Sequence, residues 1–187
     1  MTIFEYFLVL FSMVLSITLT HLASGIGELI RSRKTVTWSL PYCLWLFMIG
    51  QTVIDMWSSA WLMRGTAEFR MLVVLLMLST AMAGYLAAMW VIPHNIGERS
   101  IDLYAYMVDQ RRYFIGAMLY YVGTAAVWNE FLMPGGFDLA NHTITGPTFA
   151  ILVVAWISPA KAVQHVVPVL GTVAVLAYYV YYFPTIG

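Results

Sequence analysis

The sequence predicts an all-α, polytopic integral membrane protein with six transmembrane helices and a short interfacial helix between the third and fourth. Of 187 residues, 61% are hydrophobic, only 10% are charged, and the mean hydropathy is +0.81. A soluble domain usually carries about a quarter charged residues. Apolar runs of membrane length also recur between short polar turns, and the whole chain reads as a single transmembrane domain.

The first run, 3–30, lacks the basic start and small-residue cleavage site of a signal peptide and is read as a span. It ends at Arg31, Arg33 and Lys34, cations that suit a helix C-terminus and an anionic membrane face. Spans at 39–63 and 70–92 follow, the latter closed by Pro93. Each can cross a hydrocarbon core about 30 Å thick, which takes about 20 helical residues. The polar stretch from His94 to Arg112 places Leu103, Tyr106 and Met107 at helical spacing behind Ser100, a possible N-cap, and is read as the interfacial helix. Further spans are expected at 113–133, stopped by Pro134-Gly135-Gly136, then at 146–160 and 164–183 around the turn Ser158-Pro159-Ala160-Lys161. No motif repeats between the two halves.

With six spans, Arg31, Arg33, Lys34, Arg99, Arg111, Arg112 and Lys161 fall on one side, against Arg64 and Arg70 on the other. That bias puts both termini outside. Trp57, Trp61, Trp128 and the run Tyr178 to Phe183 fit the outer interface, and Trp38 and Trp90 the inner one.

Zero net charge excludes a generally basic surface for nucleic acid. The single Cys43 cannot form an intramolecular disulfide and reads as a small core residue. No Gly-Xaa-Ser-Xaa-Gly, phosphate-binding glycine loop, His-Glu-Xaa-Xaa-His or Cys-Xaa-Xaa-Cys is present, so an enzyme is not expected. The sequon Asn141-His142-Thr143 is too short a match to carry weight, and Lys161 reads as an ordinary loop lysine.

Polar residues concentrate on the first two spans. Ser12, Ser16, Thr20, Ser24 and Glu28 recur every fourth residue, with His21 and Gly25 beside them, while Leu15, Leu19, Leu22, Ile26 and Leu29 form the opposite face expected to meet lipid. Hydroxyls at this spacing also serve close helix packing, at about 1 kcal/mol or less per interhelical bond. Span two supplies Gln51, Asp55 and Ser59 at four-residue steps. An ionised Asp in mid-membrane costs on the order of 3 kcal/mol, so Asp55 is either a hydrogen-bonded helix link or a proton or cation site. His21, Ser24, Glu28, Gln51 and Asp55 are therefore the candidates for lining a polar path. His21, His94 and His165 are weak haem or metal candidates, because they come one per helix without an i, i+4 pair.

Phe4-Glu5-Tyr6, the segment from Ser16 to Arg31, Pro41, Trp45 and the stretch from Asp102 to Asp109-Gln110-Arg111-Arg112 together resemble an uncharacterised family of small six-helix bacterial inner-membrane proteins. The resemblance covers roughly residues 4–114 and implies six spans and a bacterial inner membrane. It brings no activity, catalytic residue or cofactor with it. The expectation is an oligomeric permeation protein for protons, ions or a small solute. The alternatives are a non-catalytic membrane subunit or scaffold and a haem or metal redox protein. The partners expected are the lipid bilayer, further copies of the chain or another membrane protein.

Overall fold

The structure is a computed structural model that describes residues 3–62, 71–94, 96–97, 100–131 and 139–182, with side chains described except at 3, 61–62, 128–131, 139–144, 178 and 181–182. Arg64, Arg70, Glu98, Arg99, the turn 134–136 and Phe183, with the side chains of Trp61, Trp128, Tyr178, Tyr181, Tyr182 and the sequon, lie outside the described residues.

Six helices account for nearly all of them: α1 (Ile3–Arg31), α2 (Leu40–Leu62), α3 (Met71–Val91), α4 (Leu103–Phe131), α5 (Leu139–Ile157) and α6 (Lys161–Tyr182). Among the described residues two helices are long and apolar enough to cross a membrane, over Phe4–Arg31 and Met71–Val91, and shorter apolar stretches cover Thr145–Ile157 and Lys161–Ala177. Helix α2 is central. It packs against α1, α3, α4 and α6, while α5 bridges α4 and α6, and α1 borders only α2 and α3 among the principal helix contacts.

Four expectations are corrected. The interfacial helix and the fourth span are one continuous helix, because no Gly or Pro separates Leu103 from Phe114. Its N-cap is Asp102 rather than Ser100: Asp102 Oδ1 accepts from the amides of Tyr104 at 2.8 Å and Ala105 at 3.1 Å. Helix α5 begins at Leu139 instead of 146 and runs through Pro147, and α6 begins at Lys161 instead of 164. Finally, Leu15, Leu22 and Leu29 of the expected lipid face are buried in the protein.

One end of the bundle is stitched by a connection the sequence did not announce. Strand β1 (Val36–Thr37) pairs in parallel with β2 (Ile101–Asp102), joining the α1–α2 and α3–α4 connections. Gly97, at φ +97°, makes the turn that precedes β2; a side chain there would be strained, and its Cβ would lie 3.1 Å from Ser32 Oγ. Tyr42 donates to the Val91 carbonyl at 3.0 Å, and Tyr106 to those of Trp90 and Ile92, both at 3.0 Å. The buried Gln164 closes the α5–α6 turn, its Nε2 donating to Ala155 O and Ser158 O at 2.8 Å each.

The core divides into two clusters. One, at the stitched end, centres on Trp45, Tyr42, Leu103 and Phe114; the other, on Phe7, Phe11, Val53 and Met77. Tyr121 packs against both, at their junction. Outward surfaces of α3 and α6 are strongly apolar, exposing Leu72, Leu75, Met82 and Leu86 on α3 and Val166, Val169, Val173, Leu176 and Val180 on α6.

Candidate functional site

The polar residues singled out in the sequence separate into two sites. On α1, the buried side is Phe4, Phe7, Phe11, Leu15, Leu22 and Leu29, with Thr18 tucked in and donating to Val14 O at 2.9 Å. At 100° per residue the opposite, outward side carries Met13, Ser16, Ile17, Thr20, Ser24 and Arg31, with Glu28 beside them, all exposed. The hydroxyls of Ser12, Ser16, Thr20 and Ser24 have no hydrogen-bond partner among the described residues, and Glu28 makes no ion pair among them.

His21 stands on the flank of this face, half-buried. Its ring meets Tyr85 of α3 edge-on, with centroids 6.1 Å apart. Nε2 is shielded from solvent and has no hydrogen-bond partner among the described residues. Ser16, Ile17, Thr20, His21, Ser24 and Tyr85 line an open groove of about 430 Å³, and a second groove follows Leu8, Ser12 and Met13 toward the N-terminus. Gly25, beneath the face, allows α1 to lie directly on Ile92.

Gln51 and Asp55 point elsewhere, into the junction of the two core clusters. The Tyr121 hydroxyl of α4 donates directly to Asp55 Oδ2. The Tyr179 hydroxyl of α6 lies beside both Asp55 and Gln51. At neighbouring positions on α3 and α4, Thr80 Oγ1 donates to Thr124 Oγ1 at 3.0 Å and the Tyr120 hydroxyl to Ser79 Oγ at 2.9 Å. These contacts form a polar layer across α2, α3, α4 and α6 within an otherwise apolar bundle.

Arg31 at the end of α1, with Arg33 and Lys34 after it, leads into the β1–β2 pair, and Arg111 and Arg112 lie in the first turns of α4 that follow β2. There Trp90 stacks on Tyr113 with centroids 4.4 Å apart, and Trp156 Nε1 donates to Arg112 O at 2.8 Å. Burial, then the charge of Asp109, pushes the Tyr106 hydroxyl up to about 12.

The histidines are not brought together. His94 is exposed at the end of α3, and His165 lies against Tyr104, its Nδ1 2.8 Å from Lys161 O. Among the described residues no three metal-ligating side chains gather.

Sequence reasoning missed Tyr85, Tyr121, Tyr179 and Gln164. Tyr179 was hidden in an aromatic run that fits an interfacial belt, and nothing local marks Tyr121, 66 residues from Asp55. No protein-family model, curated protein or solved structure matches the chain.

Proposed function

We propose that this chain crosses a membrane six times, with both termini outside, and that copies associate through the outward face of α1 to form a path for protons, ions or a small solute. The carrying observation is the row Ser16, Thr20, Ser24 and Glu28, unpartnered on the exterior of a helix long and apolar enough to span. Hydrocarbon offers such groups no outside partner and makes an unpaired ionised Glu28 costly, whereas a wet seam between copies hydrates them. The apolar exteriors of α3 and α6 suit lipid, and the resemblance over residues 4–114 favours a bacterial inner membrane.

The face is also self-complementary. Glu28 and Arg31 are both exposed and make no ion pair among the described residues, so a two-fold pair of parallel α1 helices sets Glu28 of one copy against Arg31 of the other. His21, Ser24 and Glu28 then line the inner half of the path. The test is flux into proteoliposomes. His21→Ala and Glu28→Gln should each lower it severalfold while the protein stays folded, and unchanged flux in both variants refutes the path.

A second reading, a non-catalytic membrane subunit, is favoured by the filled interior: Tyr42, Trp45, Leu103 and Phe114 are fully buried where a single-chain path would run. It predicts no flux, and loss of a co-purifying membrane partner on Ser24→Leu.

A further inference from the structure

We infer that Asp55 is a reversible proton-binding site, and that its protonation state sets which way the hydroxyls of Tyr121 and Tyr179 are hydrogen-bonded, coupling α2 to α4 and α6. The inference rests on the membrane-spanning reading of α2 but concerns a site separate from the α1 face.

The carboxyl group is partly buried and, among the described residues, makes no ion pair with a cation. Its hydrogen-bond partner is the Tyr121 hydroxyl, and the Tyr179 hydroxyl and the neutral Gln51 amide border the cluster. Among the described residues none of the charged groups on neighbouring elements forms an ion pair with it. On α1 these are Glu5, His21, Glu28 and Arg31, and His21 is turned to Tyr85. Helix α3 carries no charged residue between Met71 and Val91. On α4 the described charges, Asp109, Arg111 and Arg112, lie more than two turns from Tyr121, and on α6 Lys161 and His165 lie more than three turns from Tyr179.

An ionised carboxylate in that position is expensive unless it is paired or neutralised. The Tyr121 donor lowers that cost without removing it. A metal cation fits poorly, because among the described residues no three metal-ligating side chains gather. A proton from water needs no such set of ligands.

The two states differ in hydrogen-bond direction. As a carboxylate, Asp55 accepts from Tyr121 and offers its remaining lone pairs to the neighbouring Tyr179 hydroxyl. With a proton bound, one of its oxygens becomes a donor, and the hydroxyl facing that oxygen has to turn and accept. Tyr121 packs on both core clusters, so a change at its hydroxyl is felt at their junction.

The experiment is infrared difference spectroscopy of the full chain in lipid vesicles, titrated with pH. A protonated-carboxyl C=O band should appear and disappear reversibly, vanish in Asp55→Asn, and shift in frequency in Tyr121→Phe and in Tyr179→Phe. The two tyrosine variants retain the carboxyl and keep the test valid where Asp55→Asn fails to fold. A band unchanged in Asp55→Asn, or unmoved in both tyrosine variants, overturns the proposal. Cysteine-accessibility mapping of α2 reports separately on membrane crossing. A helix that crosses but shows no titrating band at Asp55 refutes the proton site alone, whereas a helix that does not cross removes its premise.

Discussion

Gly25→Ala tests how α1 is held, and therefore which face it presents outward. The added Cβ would lie 2.5 Å from Ile92 Cγ2 and 2.9 Å from both Cγ1 and Cδ1. Ile92 has little room to yield. It is 4% exposed, is followed by Pro93, and its carbonyl accepts from Tyr106 at 3.0 Å. Overpacking of this kind costs about 1–3 kcal/mol. Ile92→Ala alone removes packing and costs about 2–5 kcal/mol. In the double variant the alanine at 25 partly fills the space vacated at 92, so the combined loss should fall short of the sum by about 1–3 kcal/mol. The assay is reversible denaturant unfolding in mixed micelles followed by tryptophan fluorescence. Costs that add to within about 0.5 kcal/mol would show that α1 does not rest on Ile92 and refute the reasoning.

Three further outcomes are expected. Gln164→Met, nearly isosteric, leaves the carbonyls of Ala155 and Ser158 without their donor; at about 1–3 kcal/mol per unpaired buried group, it should destabilise the α5–α6 turn, and limited proteolysis at residues 158–161 measures this. Asp102→Ala removes a cap from α4 and should cost about 1 kcal/mol by the same unfolding assay. Tyr106 ionises in the unfolded chain near 10 but in the folded one near 12. Its stabilisation is therefore complete below pH 10 and lost as pH rises toward 12, and Tyr106→Phe should abolish that pH dependence while tyrosinate absorbance in the wild type tracks it.

The helices were legible because their ends are marked chemically: Arg31 closes α1, Pro93 follows α3, and Ser158-Pro159 separates α5 from α6. Which face of α1 turns inward was not. Leu15, Leu22 and Leu29 lie opposite Ser16, Thr20 and Ser24, as the period requires, but lipid and protein core are equally apolar, so hydrophobicity separates faces without saying which is buried. The polar candidates divided for a related reason. His21 and Asp55 share an apolar setting in sequence, yet their partners, Tyr85 for one and Tyr121 with Tyr179 for the other, are set by packing between distant helices. The β1–β2 contact involves two residues per strand, too few for any alternation to show.

The most direct test of the account is site-specific disulfide cross-linking in native membranes, in a Cys43→Ala background. Thr20→Cys and Ser24→Cys should each give a cross-linked dimer under mild oxidation, while Val173→Cys, on the apolar exterior of α6, should not. Cross-linking absent at 20 and 24, or no stronger there than at 173, would contradict assembly through the outward face of α1.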